Sequence, residues 1–262
     1  FRGVHAIELL TGRNGYTLDG LITLAHDPYL PAFKALIPGL VKAYNSHDDK
    51  NPKLREAIEI LENWDFRTSK ETVAMTLAHC YGFKYLAVGM SGKMKRRPSE
   101  MELLNSFGEY VSNEDSLLLL ELVINELEGD FGTWKMPWGE VNRYQRLNGD
   151  IVQEFNDSLP SVGVGFASGR WGALAAYGAR YTTPSAKKIY GTRGNSFAAV
   201  VEFGDKVHAK TILAGGQSGN PASPHFDDQT ERYINIDWKD AAYYREDVLK
   251  RATETYRPGE RK

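Results

Sequence analysis

Polar and turn-forming residues concentrate in one segment of the chain, residues 215–229. The segment reads Gly-Gly-Gln-Ser-Gly-Asn-Pro-Ala-Ser-Pro-His-Phe-Asp-Asp-Gln and directly follows an apolar run. Ser218, His225, Asp227 and Asp228 are of the types that serve as nucleophile, general base and metal ligand. Loops of this kind often carry function, but they also form structural turns whose side chains bond to backbone groups. The residues alone leave these two interpretations equally open.

Three sharper interpretations of this segment are disfavoured. Residues 216–221 are similar to the surroundings of a trypsin-like serine, but that site requires upstream His and Asp on two antiparallel barrels, and the upstream half here has helical periodicity. A nucleophile elbow requires Gly-x-Ser-x-Gly, and position 220 is Asn. A metal site at His225, Asp227 and Asp228 lacks a second histidine at a ligand spacing.

Other residues of chemical interest have plainer interpretations. Residues 163–169 are rich in glycine but do not read Gly-x-Gly-x-x-Gly, so a glycine-rich turn is favoured over a dinucleotide loop. Cys80 lies in an apolar helical stretch and is interpreted as a small buried hydrophobe. Glu202 within an apolar strand is interpreted as an outward or edge residue, with a buried functional acid as the alternative. The scattered histidines are interpreted as ordinary surface or core residues: His5, His26, His47 and His79.

Composition limits the class of protein. The 262 residues are 42% hydrophobic, which is enough for one large domain or two modest ones with a real core. The net charge is −2 and the densest basic run, residues 93–97, is short, so no nucleic-acid partner is expected. No window of about 18 consecutive apolar residues predicts a membrane span. The single cysteine cannot form an internal disulfide and leaves the compartment open.

The first half of the chain has the apolar spacing and cap signals of helices. Helices are predicted to begin near Thr17, Asn51, Thr68 or Ser69, Pro98 and Asn113, and a further helix is predicted over residues 33–41, after Pro28 and Pro31 end the first one. Pro38 is predicted to kink or split the helix over residues 33–41.

The second half has the signals of strands. Residues 196–203 and 207–213 predict a hairpin joined by residues 204–206. The first strand is nearly all apolar, which predicts burial on both faces, whereas the second alternates. A final helix is predicted over residues 245–252. The sequence therefore predicts an α+β fold.

Several stretches, in one consistent order along nearly the whole chain, resemble the penicillin acylase family and its acyl-homoserine-lactone and aculeacin acylase relatives. Residues 213–229 resemble the family's strand followed by Gly-Gln-Ser-Gly and His-Tyr-x-Asp-Gln. Residues 193–203 are similar to the preceding strand, and residues 138–143 are similar to a Trp-Gly-x-x-x-Arg stretch. Trp64 and Asp65 match the family's Leu-x-x-Trp-Asp.

The resemblance implies an N-terminal-nucleophile hydrolase that acts on the linear amide bonds of N-acyl substrates such as β-lactam antibiotics or acyl-homoserine lactones. The implied fold is part of an αββα sandwich with a helical insertion subdomain. Residues 1–29 and 131–262 would belong to the sandwich, and residues 30–130 would form the insertion. In such enzymes a precursor cuts itself to expose a serine, whose own α-amine acts as the base. A backbone amide and an asparagine form the oxyanion hole.

This sequence departs from that pattern at its start, where Phe1 has no nucleophilic atom. The family's arginine that supports the oxyanion asparagine falls on Arg2, so the asparagine itself would lie upstream. The resemblance therefore implies that this chain is the C-terminal part of the β-chain and is inactive alone. Its partners would be the α-chain, the N-terminal part of the β-chain and a small N-acyl substrate.

The resemblance also implies a supporting role for part of the unusual segment. The residues carried over as structural supports near the active-site sheet are Gln217, Ser218, His225, Asp228 and Gln229. No cofactor or metal is expected in this chain, although the intact family enzyme can hold a structural calcium through upstream ligands. A periplasmic or secreted location is implied. The alternative is a self-sufficient, non-catalytic binding module with an acylase-like fold, which would leave no partner surface open.

Overall fold

The computed structural model of the chain describes residues 1–48, 51–91, 96–257 and 259–260. Positions 93–95 of the basic run therefore lie outside the described residues. Within these ranges the helices are α1 (Arg2–Leu10), α2 (Leu18–Ala25), α3 (Pro31–Asn45), α4 (Pro52–Glu62), α5 (Val73–Ser91), α6 (Glu100–Asn105), α7 (Asn113–Phe131), α8 (Trp138–Val141), α9 (Thr230–Ile234) and α10 (Arg245–Arg251). None of them combines the length and apolarity needed to cross a bilayer.

The strands over the same ranges form two sheets. They are β1 (Asn142–Tyr144), β2 (Val162–Gly163), β3 (Tyr177–Arg180), β4 (Ile189–Gly194), β5 (Phe197–Glu202), β6 (His208–Leu213) and β7 (Lys239–Asp240). One sheet has the order β2-β1-β4-β3, in which only β1 and β4 are parallel. The other has the order β5-β6-β7 and is antiparallel. The predicted α+β class is confirmed.

Two predicted helix starts, Thr17 and Asn51, are confirmed by cap hydrogen bonds. The Thr17 hydroxyl accepts from the Gly20 amide at 3.0 Å, and the Asn51 side chain accepts from the first turn of α4. Such caps satisfy amides that have no partner within a helix. Two starts differ by a residue or two. Ser112, rather than Asn113, caps α7. Ser99, rather than Pro98, caps α6, and it forms a reciprocal capping box with Glu102.

Two helix predictions were wrong in detail. The helix expected from Ser69 begins at Val73, because the Ser69 carbonyl and hydroxyl bond to the amides of Thr72 and Glu71 and form a separate turn. Pro38 does not split α3, which runs unbroken. Pro38 is exposed, so water can reach the carbonyl that loses its intrahelical donor.

The core is centred on α5, whose side chains are buried along most of its length. It packs against α4 and α7, and close approach depends on glycine. A Cβ on Gly82 would lie 2.8 Å from the Trp171 ring. Trp171 and Trp138 are fully buried in the same apolar cluster as the helices. The helical part thus shares the main core with part of the β region, including Ile189 of β4. A second cluster joins residues of the two sheets, with Tyr177 of β3 and Ile212 of β6. The boundaries near residues 30 and 130 stay a prediction.

The predicted hairpin is confirmed, with Phe197 opposite Leu213 and Glu202 opposite His208. The predicted alternation of the second strand is not seen in its burial, because Ala209, Lys210 and Thr211 are all half-buried. The buried residue of β6 is Ile212, which was predicted to share a face with His208 and Lys210. The predicted burial of β5 on both faces was wrong. Phe197 is 61% exposed and Val201 is 39% exposed, so the outer face of this strand is open. The inner face packs towards α2, where Lys210 of β6 also pairs with Asp19.

Candidate functional site

A single arginine organises the segment that follows β6. The Arg146 guanidinium donates to the carbonyl oxygens of Gly216 (3.2 Å), Ser218 (2.9 Å) and Phe226. It also lies over the Phe226 ring, 4.3 Å from the ring centre. Charge-assisted hydrogen bonds of this kind are among the stronger ones in proteins, and a cation over an aromatic face adds to them. Arg146 therefore fixes the path of residues 216–226.

The glycines at the start of the segment are required by close backbone contacts. A Cβ on Gly216 would lie 2.3 Å from the His225 carbonyl oxygen. Gly215 has a φ of +78°, a region that L-residues rarely adopt. The turn closes through the Ser218 amide, which donates to the His225 carbonyl at 3.0 Å, and through the Gln229 amide, which donates to the Gly215 carbonyl at 2.7 Å.

The predicted site residues of this segment mostly bond within or beside the turn. The Ser218 hydroxyl accepts from the Asn220 amide at 3.1 Å. His225 Nδ1 lies 2.9 Å from an Asp228 carboxylate oxygen, and this hydrogen bond lowers the Asp228 pKa. The Gln229 side-chain oxygen accepts from Lys239 at 3.0 Å. Gln217 is exposed and has no side-chain hydrogen bond within the described residues.

This geometry favours the structural interpretation of the segment. A serine hydrolase needs the nucleophile hydroxyl in contact with the histidine, and the described residues contain no hydrogen bond between the Ser218 hydroxyl and the His225 ring. The described residues also contain no group of three or more His, Cys, Asp or Glu side chains that could hold a metal ion. The supporting role of these residues in catalysis stays a prediction.

Arg2 lies at the start of α1, far in sequence from residues 215–229. In the structure it lies beside the β5-β6-β7 sheet. Its Nη2 donates to the Leu174 carbonyl at 2.6 Å. The buried His5 ring bonds to the Gly172 carbonyl at 2.9 Å and lies 3.6 Å from the Asp27 carboxylate. Two side chains of α1 thus tie this helix to residues 172–174. Arg2 is exposed, so its guanidinium remains accessible from outside the chain.

Arg2 lines a hollow of about 590 Å³ between α1, α2 and β5. The wall is largely apolar, and the aliphatic residues that line it are Leu9, Leu10, Leu21, Leu24, Val200 and Ile212. The carbonyl group that holds Arg2 lies 172 positions away in the sequence, so spacing alone gave no signal of this hollow.

His26 lines the same hollow, and sequence reasoning treated it as an ordinary residue. Burial lowers its pKa to about 4, so the ring is neutral near pH 7. Its Nε2 accepts from the Trp238 indole at 3.3 Å. Its Nδ1 is buried without a partner in the described part of the chain. The Trp238 partner lies 212 positions away, which explains why no local pattern marked His26.

The remaining candidates have the plainer roles. Burial raises the Cys80 pKa to about 12, so the thiol is not activated. Glu202 is exposed at the end of β5, as expected for an edge residue. Residues 163–169 are followed by a single 3₁₀ turn, Gly169–Trp171, and not by the helix that a dinucleotide loop requires.

Comparison with known proteins places these features in a family. The sequence profile of the penicillin amidase family matches residues 1–250. In structure, the chain is similar to a thermostable penicillin G acylase from Alcaligenes faecalis, with a TM-score of 0.50 and 15% sequence identity. The match covers 98% of this chain and 52% of the acylase chain, so the chain spans about half the length of that structure. The matched profile covers nearly the whole sequence, and the chain therefore belongs to the penicillin amidase family.

Proposed function

We propose that this chain is the C-terminal portion of the β-chain of a penicillin-acylase-type amidohydrolase. The assembled enzyme would hydrolyse linear amide bonds of N-acyl substrates, such as β-lactam antibiotics or acyl-homoserine lactones. Family membership over residues 1–250 supports the hydrolase class. The coverage of only 52% of a similar acylase chain supports the idea that other polypeptide completes the fold.

The observation that carries the proposal is the open side of the second sheet. Within the described residues, β5 pairs only with β6, so its other edge offers unpaired amides and carbonyls. Its outer face and the residue after it are exposed, with Phe197 at 61%, Val201 at 39% and Phe203 at 83%. Ile7 of α1 is 67% exposed. An exposed apolar strand face beside an unpaired edge is typical of an interaction site, and a self-sufficient binding module would have it covered.

The catalytic serine and the oxyanion asparagine would come from the completing polypeptide. Arg2 is proposed as a positioning residue for that asparagine. One guanidinium nitrogen is held by the Leu174 carbonyl, and α1 is held by His5. The remaining N–H groups are available to bind the asparagine side-chain oxygen, which would aim its amide N–H at the developing oxyanion.

Two further properties follow from the proposal. A structural calcium would belong to the intact enzyme, and its ligands would lie upstream of this chain, as the resemblance to the family implies. The assembled enzyme would act in the periplasm or outside the cell, as family membership suggests.

The test is reassembly with a complementary polypeptide that starts with the catalytic serine. The mixture and each component are assayed with a chromogenic N-acyl aminonitrobenzoate, and complex formation is followed by size-exclusion chromatography. We expect turnover only from the mixture. Turnover by this chain alone, or no complex at all, would overturn the proposal. In the complex, Arg2→Lys should retain a larger fraction of the unchanged protein's kcat than Arg2→Gln does. Both variants should bind the completing polypeptide with the same affinity.

A further inference from the structure

A second cavity, of about 670 Å³, lies between α5, α7 and the β3–β4 strand pair. It shares no lining residue with the hollow beside Arg2 or with residues 214–229. Pockets that hold small molecules commonly have volumes of about 300–1,000 Å³. We call this cavity the α5–α7 cleft.

The walls of the α5–α7 cleft are largely apolar. Phe83 comes from α5, Val123 and Leu127 from α7, and Ala179 and Ile189 from the strands. These side chains belong to or pack against the main core, so the walls are built on rigid elements. A hydrocarbon or aryl group of a ligand would gain roughly 25 cal/mol for each Å² of apolar surface removed from water.

Six charged side chains also line the cleft, and four of them are cations. Two of the cations are already paired. Lys84 lies 2.8 Å from Glu126, and Arg170 lies 2.9 Å from Glu100, which is outside the cleft. Arg170 also lies over the Phe83 ring.

The other two cations, Arg180 and Arg193, have no side-chain hydrogen bond or ion pair within the described residues. The acid Asp130 likewise lines the cleft without a side-chain ion pair in this part of the chain. The unpaired lining charges are therefore two guanidinium groups and one carboxylate. This excess of positive charge favours an anionic ligand over a neutral or cationic one.

The two free arginines sit on paired strands. Arg193 of β4 lies opposite Gly178 of β3, and Arg180 lies opposite Tyr190. A Cβ at position 178 would lie 3.3 Å from the Arg193 carbonyl oxygen, so glycine lets the two strands approach closely beside Arg193.

We propose that the α5–α7 cleft binds an amphipathic carboxylate, with its apolar body against Phe83, Leu127 and Ile189 and its carboxylate on Arg180 and Arg193. A guanidinium presents N–H donors in a planar fork that matches a carboxylate. The combination of apolar walls and few polar anchors is the usual composition of a ligand pocket. The proposal does not depend on whether the chain takes part in amide hydrolysis.

The test uses octanoate as the probe and the 262-residue chain as the protein. Titration calorimetry at low ionic strength should detect octanoate binding that weakens as salt is added. Octanol and octylammonium, which have the same chain without the anion, should bind at least about tenfold more weakly. Arg180→Gln and Arg193→Gln should each weaken octanoate binding by roughly tenfold. The matched control is Arg55→Gln, which removes an exposed arginine of α4 and should leave the affinity unchanged.

Amide NMR shifts identify where the probe sits. Octanoate should shift the signals of Ala179 and Ile189 and leave those of Leu21 and Val200, which line the hollow beside Arg2, unchanged. Shifts confined to Leu21 and Val200 would overturn the proposal. Equal affinity for octanoate and octanol, or equal affinity of the two cleft variants and the Arg55 control, would also overturn it.

Discussion

Arg146 lies with its guanidinium carbon 4.3 Å from the centre of the Phe226 ring and donates a hydrogen bond to the carbonyl oxygen of the same residue. The two residues are 80 positions apart. Arg146 follows β1 of the first sheet, and Phe226 belongs to the turn that follows β6 of the second. The pair therefore holds the Gly-Gln-Ser-Gly turn beside the end of β1. Residues that resemble a catalytic loop are thus fixed by hydrogen bonds to Arg146.

The first prediction concerns the charge and shape of this arginine. Arg146→Lys leaves at least one of the three carbonyl acceptors unpaired, because an ammonium cannot reproduce the planar fork. We expect a loss of about 2–3 kcal/mol in the free energy of unfolding, measured in urea. Hydrogen exchange at the Ser218 amide should become faster. Arg251→Lys is the control, since this exposed arginine bonds a single carbonyl, that of Asp240, and its unfolding midpoint should change little.

The second prediction tests the close contact inside the turn. Gly216→Ala places a Cβ 2.3 Å from the His225 carbonyl oxygen and 2.5 Å from that of Phe226. Both are backbone atoms, so the turn itself must move, at a cost of about 1–3 kcal/mol. Gly219→Ala is the matched control three residues on, because nothing lies within 4 Å of its Cβ position. Equal unfolding midpoints for the two variants would contradict this account.

Local signals in the sequence predicted local structure. Thr17 and Asn51 cap helices as expected, and the hairpin of β5 and β6 forms in the predicted register, because a cap or a short loop involves residues a few positions apart. The contacts of three residues could not be predicted: those of Arg146, His26 and Arg2. Their partners are 70 to 212 positions away, and the local spacing of residues does not indicate contacts over such distances.

The wrong prediction for the burial of β5 has a different cause. The apolar run in β5 predicted burial on both faces, yet Phe197 and Val201 face outwards. A strand face that is covered by another polypeptide has the same composition as one covered within its own chain. The composition of β5 therefore fits the cover that we propose for this face, but it could not indicate whether that cover belongs to the same chain.

The third prediction is a loss of stability in mild acid. Burial, with a smaller contribution from the Arg170 charge, lowers the His79 pKa from 6.5 to about 3, and burial lowers that of His26 to about 4. Below pH 6.5 the unfolded chain binds protons that the folded chain does not. The free energy of unfolding should therefore fall as the pH falls from 6.5 towards 4, with a slope approaching about 1.4 kcal/mol per pH unit for each histidine.

The check is a set of urea unfolding curves between pH 7.5 and 5.5. This range lies above the one in which Glu102 contributes, because its pKa is lowered from 4.5 to about 2 by the Arg96 hydrogen bond and its contribution is lost only as the pH falls through those values. His79→Gln should make the free energy of unfolding less dependent on pH, because glutamine does not titrate. The Gln oxygen can still accept from the Trp171 indole, as Nδ1 of His79 does. His47→Gln, at an exposed position, should keep the slope of the unchanged protein. An unchanged slope in the His79 variant would show that folding does not lower the His79 pKa.

The fourth prediction concerns the open face of β5. Val201→Lys places a charge on a face that we propose is covered in the assembled enzyme. In the chain alone, Val201 is 39% exposed, so the change should alter the free energy of unfolding by no more than about 0.5 kcal/mol. Sedimentation velocity should show less self-association, because a lysine blocks pairing at a strand edge.

In the complex, the same lysine would be buried without a partner, so affinity for the completing polypeptide should fall by about a hundredfold or more. Leu122→Lys is the matched control, since Leu122 is 44% exposed on α7 and lies outside the proposed interface. If both variants assemble with equal affinity, β5 is not the covered face, and the exposed apolar side chains of α1 become the surface to test.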